Sequence, residues 1–570
     1  MVKILYGKSD FKALITKGYY YIDRTSHIEQ IERSNASSLF FLRPRRFGKS
    51  LFVSTLKYYY GVEYKGEFQT LFGQCYIGKY PTPNANSYLV LHFNFSSIAG
   101  KTPEELAKNF NTKVQNNIQR FLSAYIPLYF SEEAYDILEG KPDANILLER
   151  LFALIDKSRK SIPPLYVLID EYDHFSSTLL ANSEEAFLEV VSSTGFFRKF
   201  FEALKIGTES LIKRIFATGV SPITLDGFTS GFNIAADISR NKLYHDLMGF
   251  KSEEVKTLFS DIGIGEEELP ALMKDIQFWY NGYSFHPKVK TRLYNPDMVL
   301  YFAKEYIEQG EYPEELLDTN ISSDYGKLRS ILQLGNNEEV HIQTIQTLLN
   351  EGYFLAKLTQ QFNFERPFSI DDFVSLLYYM GLLSLTGKVH SLLSFRIPNQ
   401  VIKALYFDFL REFIDARTKS KVDLRDLNNA LIHLSEDNNI RSILALAEER
   451  LQHMSNRDAI QFDEKHLKTL LFSLLYPSPI YHIHSEYEVA RKYIDLFLEG
   501  RRDAEVKYQF VFELKYLSKA NEKKLEEVKA EAIAQLRGYM AHESLAKLSD
   551  LVGYVIIFVG TEAKVVEKLL

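Results

Sequence analysis

Four short apolar segments constrain the fold of this chain more than anything else in it. Leu39–Leu42, Tyr88–Phe95, Leu165–Asp170 and Arg214–Gly219 carry few charges, and stretches of helical periodicity separate them. Near-continuous apolar runs mark strands buried on both faces. Their alternation with helices implies a parallel sheet with helices on each side. The first third of the chain is therefore expected to be an α/β layer fold.

The loop after the first of these strands narrows the expectation. Arg43-Pro44-Arg45-Arg46-Phe47-Gly48-Lys49-Ser50 follows Leu42, and an apolar-periodic helix runs from Leu51 to Tyr60, closed by Gly61. Strand, loop and helix in this order form the setting of a Walker A phosphate loop. Gly48 lets the backbone wrap phosphates, and the first amides of the helix point at them. Lys49 supplies charge for the β- and γ-phosphates, and the Ser50 hydroxyl can hold Mg2+. The candidate ATP-binding set is Arg45, Arg46, Phe47, Gly48, Lys49, Ser50 and Leu51. One position departs from G-x-x-x-x-G-K-[ST]: its first glycine would fall at residue 43, which is Arg.

Leu165-Tyr166-Val167-Leu168-Ile169-Asp170-Glu171 supplies the matching element, a buried strand ending in two acids. Asp170 would position Mg2+ and Glu171 would polarise the attacking water. The plainer reading is a core strand meeting a solvated turn. At the end of another strand, Thr218 is placed to sense a γ-phosphate, against the plainer reading of a glycine-containing strand exit at Gly219.

A second site is legible near the C-terminus. Phe510-Val511-Phe512-Glu513-Leu514-Lys515-Tyr516 is a strand in which Glu513 and Lys515 share a face, because side chains alternate. The preceding strand, Tyr493–Leu498, carries Asp495. A hairpin folding about Ala504 sets Asp495 opposite Glu513, with Lys515 beside them. Paired carboxylates suit Mg2+ or Mn2+, and a lysine there can position water or a phosphate. The alternative is a cross-strand salt-bridge network on a half-exposed sheet. Asp503, ten residues before Glu513, is a rival acid that leaves too little room for two strands and a turn. Glu486 and Glu488 are further acids nearby.

The rest of the chain bounds the answer. Its 570 residues suggest about three or four domains. We divide it as 1–238 (phosphate loop), 239–368 (helical), 369–455 (winged-helix-like and helical connector) and 456–570 (a separate α/β unit). The middle assignment rests on a helix Asp371–Met380, a hairpin turning at Gly387-Lys388, and a helix from Gln400. The net charge of −7 argues against a uniformly basic coat, though not against a local basic groove. The single cysteine, Cys75, excludes an internal disulfide, and no apolar run reaches membrane-spanning length. A cytoplasmic protein with no membrane partner is expected.

Arg43-Pro44-Arg45-Arg46-Phe47-Gly48-Lys49-Ser50-Leu51 resembles the signature of the AAA-ATPase-like family, found mainly in bacteria. Tyr21–Thr25, Leu168–Asp173, Ala217–Pro222, Tyr280–Tyr283 and Tyr294–Pro296 match as well. In that family Arg at position 43 is usual. The resemblance implies ATP binding and hydrolysis. Asp495 with Glu513-Leu514-Lys515 resembles the PD-(D/E)XK nuclease superfamily. That likeness implies a further metal-binding acid at Glu464 and a helical Gln535/Tyr539 pair. Arg240 and Arg292 are arginine-finger candidates by charge alone. Three readings follow: an ATPase coupled to a nuclease acting on nucleic acid, DNA ahead of RNA; an ATP-switched protein whose nuclease-like domain only recognises a nucleic acid or protein partner; or an ATPase whose C-terminal acids are structural alone.

Overall fold

The structure is a computed structural model. It describes residues 2–569 except 101, 159–160, 175–194, 223–233, 319–327, 363–365, 419–422, 454–462, 477, 479, 490–491, 502–503, 505 and 549. Two compact units make up the chain: Met1–Thr344 with Tyr353–Val401, and Ile345–Gly352 with Ile402–Leu570. Among the described residues no helix is long and apolar enough to cross a membrane.

The first unit is built on β1 (Ser38–Leu42), β2 (Leu89–Asn94), β3 (Leu165–Asp170), β4 (Ile212–Gly219) and β5 (Ala235–Asp237). All pair in parallel, in the order β2-β3-β4-β1-β5. β1 and β3 are buried along their whole length, as continuous apolar runs require. The register sets Phe41 beside Thr218 and Asn94 beside Asp170, so β1, β3 and β4 end on one edge. Ligands of open parallel sheets bind at that carboxyl edge. The short strand β5 was not anticipated. Its three residues, Ala-Ala-Asp, carry no apolar run to signal it.

The helix α1 (Lys49–Tyr60) starts where Gly48 turns the chain at φ 93°, a conformation that favours glycine. It buries Phe52, Val53, Leu56, Tyr59 and Tyr60. Each such side chain contributes roughly 1.5–3 kcal/mol, so a charge at Val53 would undo the docking of α1. Further along, α2 (Leu269–Tyr280) and α3 (Pro296–Gln309) flank two short bridges, Phe250 with Tyr294 and Tyr283 with Leu293. Gly282 lies at φ 124°, and a Cβ there would sit 1.9 Å from the Pro398 carbonyl oxygen, so glycine is required.

This unit also carries β6 (Phe354–Ala356), α4 (Ile370–Tyr379), β7 (Ser384–Val389) and β8 (Leu392–Arg396), with sheet order β6-β8-β7. The hairpin turn differs from expectation. Gly387-Lys388 lies inside β7, where the register slips between Leu385 and Gly387. The chain reverses at His390, which takes a left-handed φ of 52°.

The second unit carries α5 (Glu464–Leu475), β9 (Tyr481–Val489), β10 (Lys492–Gly500), β11 (Gln509–Leu517), α6 (Leu525–Met540), β12 (Leu551–Val559) and β13 (Glu562–Leu569). The sheet order is β13-β12-β11-β10-β9. Only β11 and β12 pair in parallel, and α6 makes the crossover between them. Phe497, Val511, Val555 and Ile557 pack with Ala532, Leu536 and Tyr539 of α6. The edge strand β13 escaped the sequence reading because its Glu and Lys residues interrupt the apolar pattern. Helices Leu424–Asp437 and Arg441–His453 belong to this unit, where Tyr554 donates to Asn438 and the Ala563 amide donates to Glu448.

Candidate functional sites

The phosphate loop leaves β1 at Arg43, whose backbone amide continues the strand by donating to Gly219. The Arg43 side chain does not face a ligand. It is 1 % exposed, and its guanidinium donates to the carbonyls of Leu42, Ser239, Tyr244 and His245. The charge also stacks over Phe41 and Phe285, 4.2 and 3.9 Å from their ring centroids. Burial pulls its pKa down to about 9. Residue 43 can thus be Arg because the position needs no left-handed backbone and its amide still bonds to Gly219. The left-handed turns the loop needs fall at Arg46 (φ 66°) and Gly48.

Two more loop residues are anchored on the same unit. Arg46 pairs with Asp297 at 2.8 Å, at the start of α3. Phe47 is buried edge-on against Tyr283 and Phe285. Asn295 caps α3 by accepting from the Asp297 amide. The Tyr280–Tyr283 and Tyr294–Pro296 stretches therefore build the wall that holds the loop.

Lys49 Nζ donates to the carbonyls of Arg43 and Pro44, at 3.0 Å each. Burial lowers its pKa, against the opposing fields of Glu171, Asp173 and Asp170. A cavity of about 430 Å³ opens here. Arg45, Arg46, Phe47, Gly48, Lys49, Ser50, Leu51 and Glu171 all line it. His174 lines it too, with apolar side chains such as Tyr20, Ile22, Met248 and Phe250.

Asp170 is 1 % exposed, and burial raises its pKa while hydrogen bonds from Ser50 and Thr218 pull it back. The Thr218 hydroxyl donates to Asp170 Oδ1 at 2.9 Å and is itself fully buried. Neither residue is among those lining the cavity, so Thr218 is aimed at Asp170 rather than at the open space. Glu171 sits at φ 54° with its carboxylate 3.0 Å from His174 Nδ1. Burial pushes its pKa up, but His174, Lys49 and Arg45 outweigh this and hold it below the ordinary value. The adjoining Ser50 and Asp170 oxygens fit a divalent cation. The arginine-finger candidates fall elsewhere: Arg292 donates to the Leu385 carbonyl at 2.6 Å, and Arg240 lines a different cavity. Sequence reasoning missed His174, whose only signal was its spacing of three from Glu171.

In the second unit the predicted register holds. Leu496, Phe497 and Leu498 pair with Phe512, Val511 and Phe510, which continues to Asp495 opposite Glu513. Asp495 Oδ2 accepts from the Leu514 amide at 2.9 Å, and Oδ1 lies 3.8 Å from Lys468 Nζ. Glu513 is 3 % exposed. Its Oε1 lies 2.8 Å from Lys515 Nζ, while its buried Oε2 has no hydrogen-bond partner. Burial and the negative field of Asp495 push its pKa up to about 7. Lys515 also reaches Glu464 at 3.4 Å, and these acids raise its pKa despite its burial.

A half-exposed salt-bridge sheet does not describe this site, because α6 covers the face that carries Glu513. Among the described residues no three His, Cys, Asp or Glu side chains form a ready-made metal cage. Mg2+ commonly takes only one or two protein carboxylates, completing its shell with water and phosphate. Asp495 and the orphaned Glu513 oxygen fit that donor set. Gln535 bonds to Glu531 at 3.5 Å on its own helix, whereas Tyr539 lies within the field of Glu513 and Asp495. Asp503 and the side chains of Glu486 and Glu488 lie outside the described residues.

Comparison with known proteins matches these two sites to two families. Residues 5–229 match the AAA-ATPase-like family, described as a predicted AAA-ATPase, and residues 462–568 match the PD-(D/E)XK nuclease superfamily. The two regions are thus similar to an AAA-ATPase-like domain and a PD-(D/E)XK nuclease superfamily domain, and these families generally use nucleotide and divalent metal. A curated relative, an "uncharacterized protein in vnfD 5'region" of Azotobacter chroococcum mcd 1, is 27% identical over 292 residues. The match covers 50% of this chain and 49% of the relative, so the chain spans about half the length of the curated relative it matches.

Proposed function

We propose that this chain binds and hydrolyses ATP with Mg2+ in the cavity beside the Arg43–Ser50 loop. We further propose that its C-terminal domain cuts nucleic acid, DNA ahead of RNA, with a divalent metal held by Asp495 and Glu513 and supported by Glu464. The four-segment division of the chain and a cytoplasmic location belong to the same proposal.

For the ATP half, support comes from Lys49, Ser50 and Glu171 lining one cavity of about 430 Å³. Lys49 exchanges its two carbonyl contacts for phosphate oxygens, and the loop amides meet the rest of the phosphate chain. Ser50 and Asp170 hold Mg2+, Thr218 positions Asp170, and Glu171 orients the attacking water. For the nuclease half, the carrying observation is Glu513, buried and with one oxygen unpartnered beside Asp495 and Lys515. A metal held there supplies charge neutralisation and an activated water. Lys515 holds that water or the scissile phosphate.

A second reading takes support from the lysines. Lys515 and Lys468 already face the acids, so the cluster closes on itself as an ion network and the domain recognises nucleic acid or a protein without cutting. The deciding experiment is cleavage of labelled single- and double-stranded DNA and RNA with Mg2+, with Asp495→Ala and Glu513→Ala alongside. Cutting abolished by both changes supports the nuclease. Cutting indifferent to them, or no cutting, favours the second reading. Nucleotide binding that survives Lys49→Ala would remove the phosphate-loop assignment.

A further inference from the structure

A second cavity in the first unit, also about 430 Å³, is lined by Arg240, His286, Lys288, Lys357 and Lys388, with Ser391 and Leu393. Four chain segments bring these cations together, with Arg240 coming from the stretch just after β5. Lys288 lies on the basic loop His286-Pro287-Lys288-Val289-Lys290-Thr291-Arg292. That loop is tied to β7 by the Arg292 bond to Leu385. Lys357 follows β6, and Lys388 stands on β7 just before the hairpin turn.

Among the described residues, none of Arg240, Lys288, Lys357 and Lys388 forms an ion pair. The acids Asp237 and Asp371 keep their charge nearby, but they accept from Ser239 and from the Lys357 backbone amide rather than from these four cationic groups. The imidazole of His286 reports the local field. Its pKa is lowered by burial and then by the charges of Lys242, Lys288 and Arg240. A cluster of cations without ion-pair partners among the described residues stands out on a chain of net charge −7. Its positive potential concentrates a polyanion there.

We infer that this cavity and the adjoining β7–β8 hairpin hold the backbone phosphates of a nucleic acid, with Arg240, Lys288, Lys357 and Lys388 as the contacting cations. The inference shares with the proposed function only the choice of nucleic acid as partner, and its test reads binding rather than cutting. Contacts of this kind are made to phosphate rather than to base edges, so binding is expected to be sequence-tolerant and steeply salt-dependent.

The test is fluorescence anisotropy of the full chain with labelled duplex and single-stranded DNA, without added divalent metal, across a salt series. The Lys288→Ala/Lys388→Ala double variant is expected to bind about tenfold more weakly, and its slope of log affinity against log salt to fall by about two. The charge-reversed Lys288→Glu/Lys388→Glu variant should lose more, with far-UV circular dichroism unchanged in both. Unchanged affinity and slope in these variants would overturn the assignment, as would a wild-type chain that binds neither DNA. Displacement of DNA by polyglutamate at equal charge would assign the surface to an acidic protein instead. Displacement by pyrophosphate at matching concentration would assign it to a free small anion. A chain that binds DNA in this way but does not cut it leaves the inference standing and defeats only the nuclease reading.

Discussion

Arg46 of the phosphate loop and Asp297 at the first turn of α3 stand 2.8 Å apart, joining the left-handed turn of the loop to the helix that faces it. Both side chains are largely buried, at 25% and 17% exposure. A double-mutant cycle in chemical denaturation with Arg46→Ala and Asp297→Ala is expected to give a coupling on the order of 1 kcal/mol. A coupling near zero would mean that the Arg46–Asp297 pair does not hold the loop.

Restoring the missing glycine of the Walker pattern should damage the protein. Arg43→Gly leaves the carbonyls of Ser239, Tyr244 and His245 without their donor and opens a space between Phe41 and Phe285. The expected cost is on the order of 3 kcal/mol or more, read as a drop in unfolding midpoint. A neutral result would show that the guanidinium is replaceable by water.

Glu171 and Lys49 should separate turnover from binding. Glu171→Gln is expected to keep the rise in melting temperature caused by ATP while slowing phosphate release by about a hundredfold or more. His174→Ala, which removes the hydrogen bond holding the Glu171 carboxylate, should slow turnover less and leave ATP affinity unchanged. Equal loss of binding in Glu171→Gln would contradict its assigned place beside the water.

Metal-free stability should carry a signature of Glu513. Its folded pKa of about 7 exceeds its ordinary 4.5, so between those values the folded chain holds more proton than the unfolded one. Stability from this group is therefore greatest at low pH and falls as pH rises from about 4.5 to about 7. In Glu513→Gln this fall should vanish, and the variant should match or exceed the wild type above pH 7. A wild type whose pH profile coincides with that of the variant would place the charge of Glu513 outside a buried environment.

Much of this was legible from sequence wherever a local rule determined it. The period of two along β10 and β11, with one turn centre, was enough to set Asp495 opposite Glu513. The Gly48-Lys49-Ser50 turn announced the start of α1 in the same way. What could not be read were choices made by distant partners. Whether Arg43 faces a phosphate or a set of carbonyls depends on Ser239 and Tyr244, about two hundred residues away. Thr218 stood at the anticipated strand end, yet its hydroxyl was claimed by Asp170. The turn at His390 rather than Gly387 reflects a register slip that no composition rule signals.

Lys49, resting on two carbonyls of its own loop, has a thermodynamic corollary. Its ammonium bridges the carbonyls of Arg43 and Pro44, so the loop is braced by its own side chain. Little chain entropy is then left to lose when a nucleotide arrives, and association is a swap of hydrogen-bond acceptors rather than a folding event. Nucleotide binding of the proposed kind is then expected to show a small heat-capacity change, measurable by calorimetry at several temperatures.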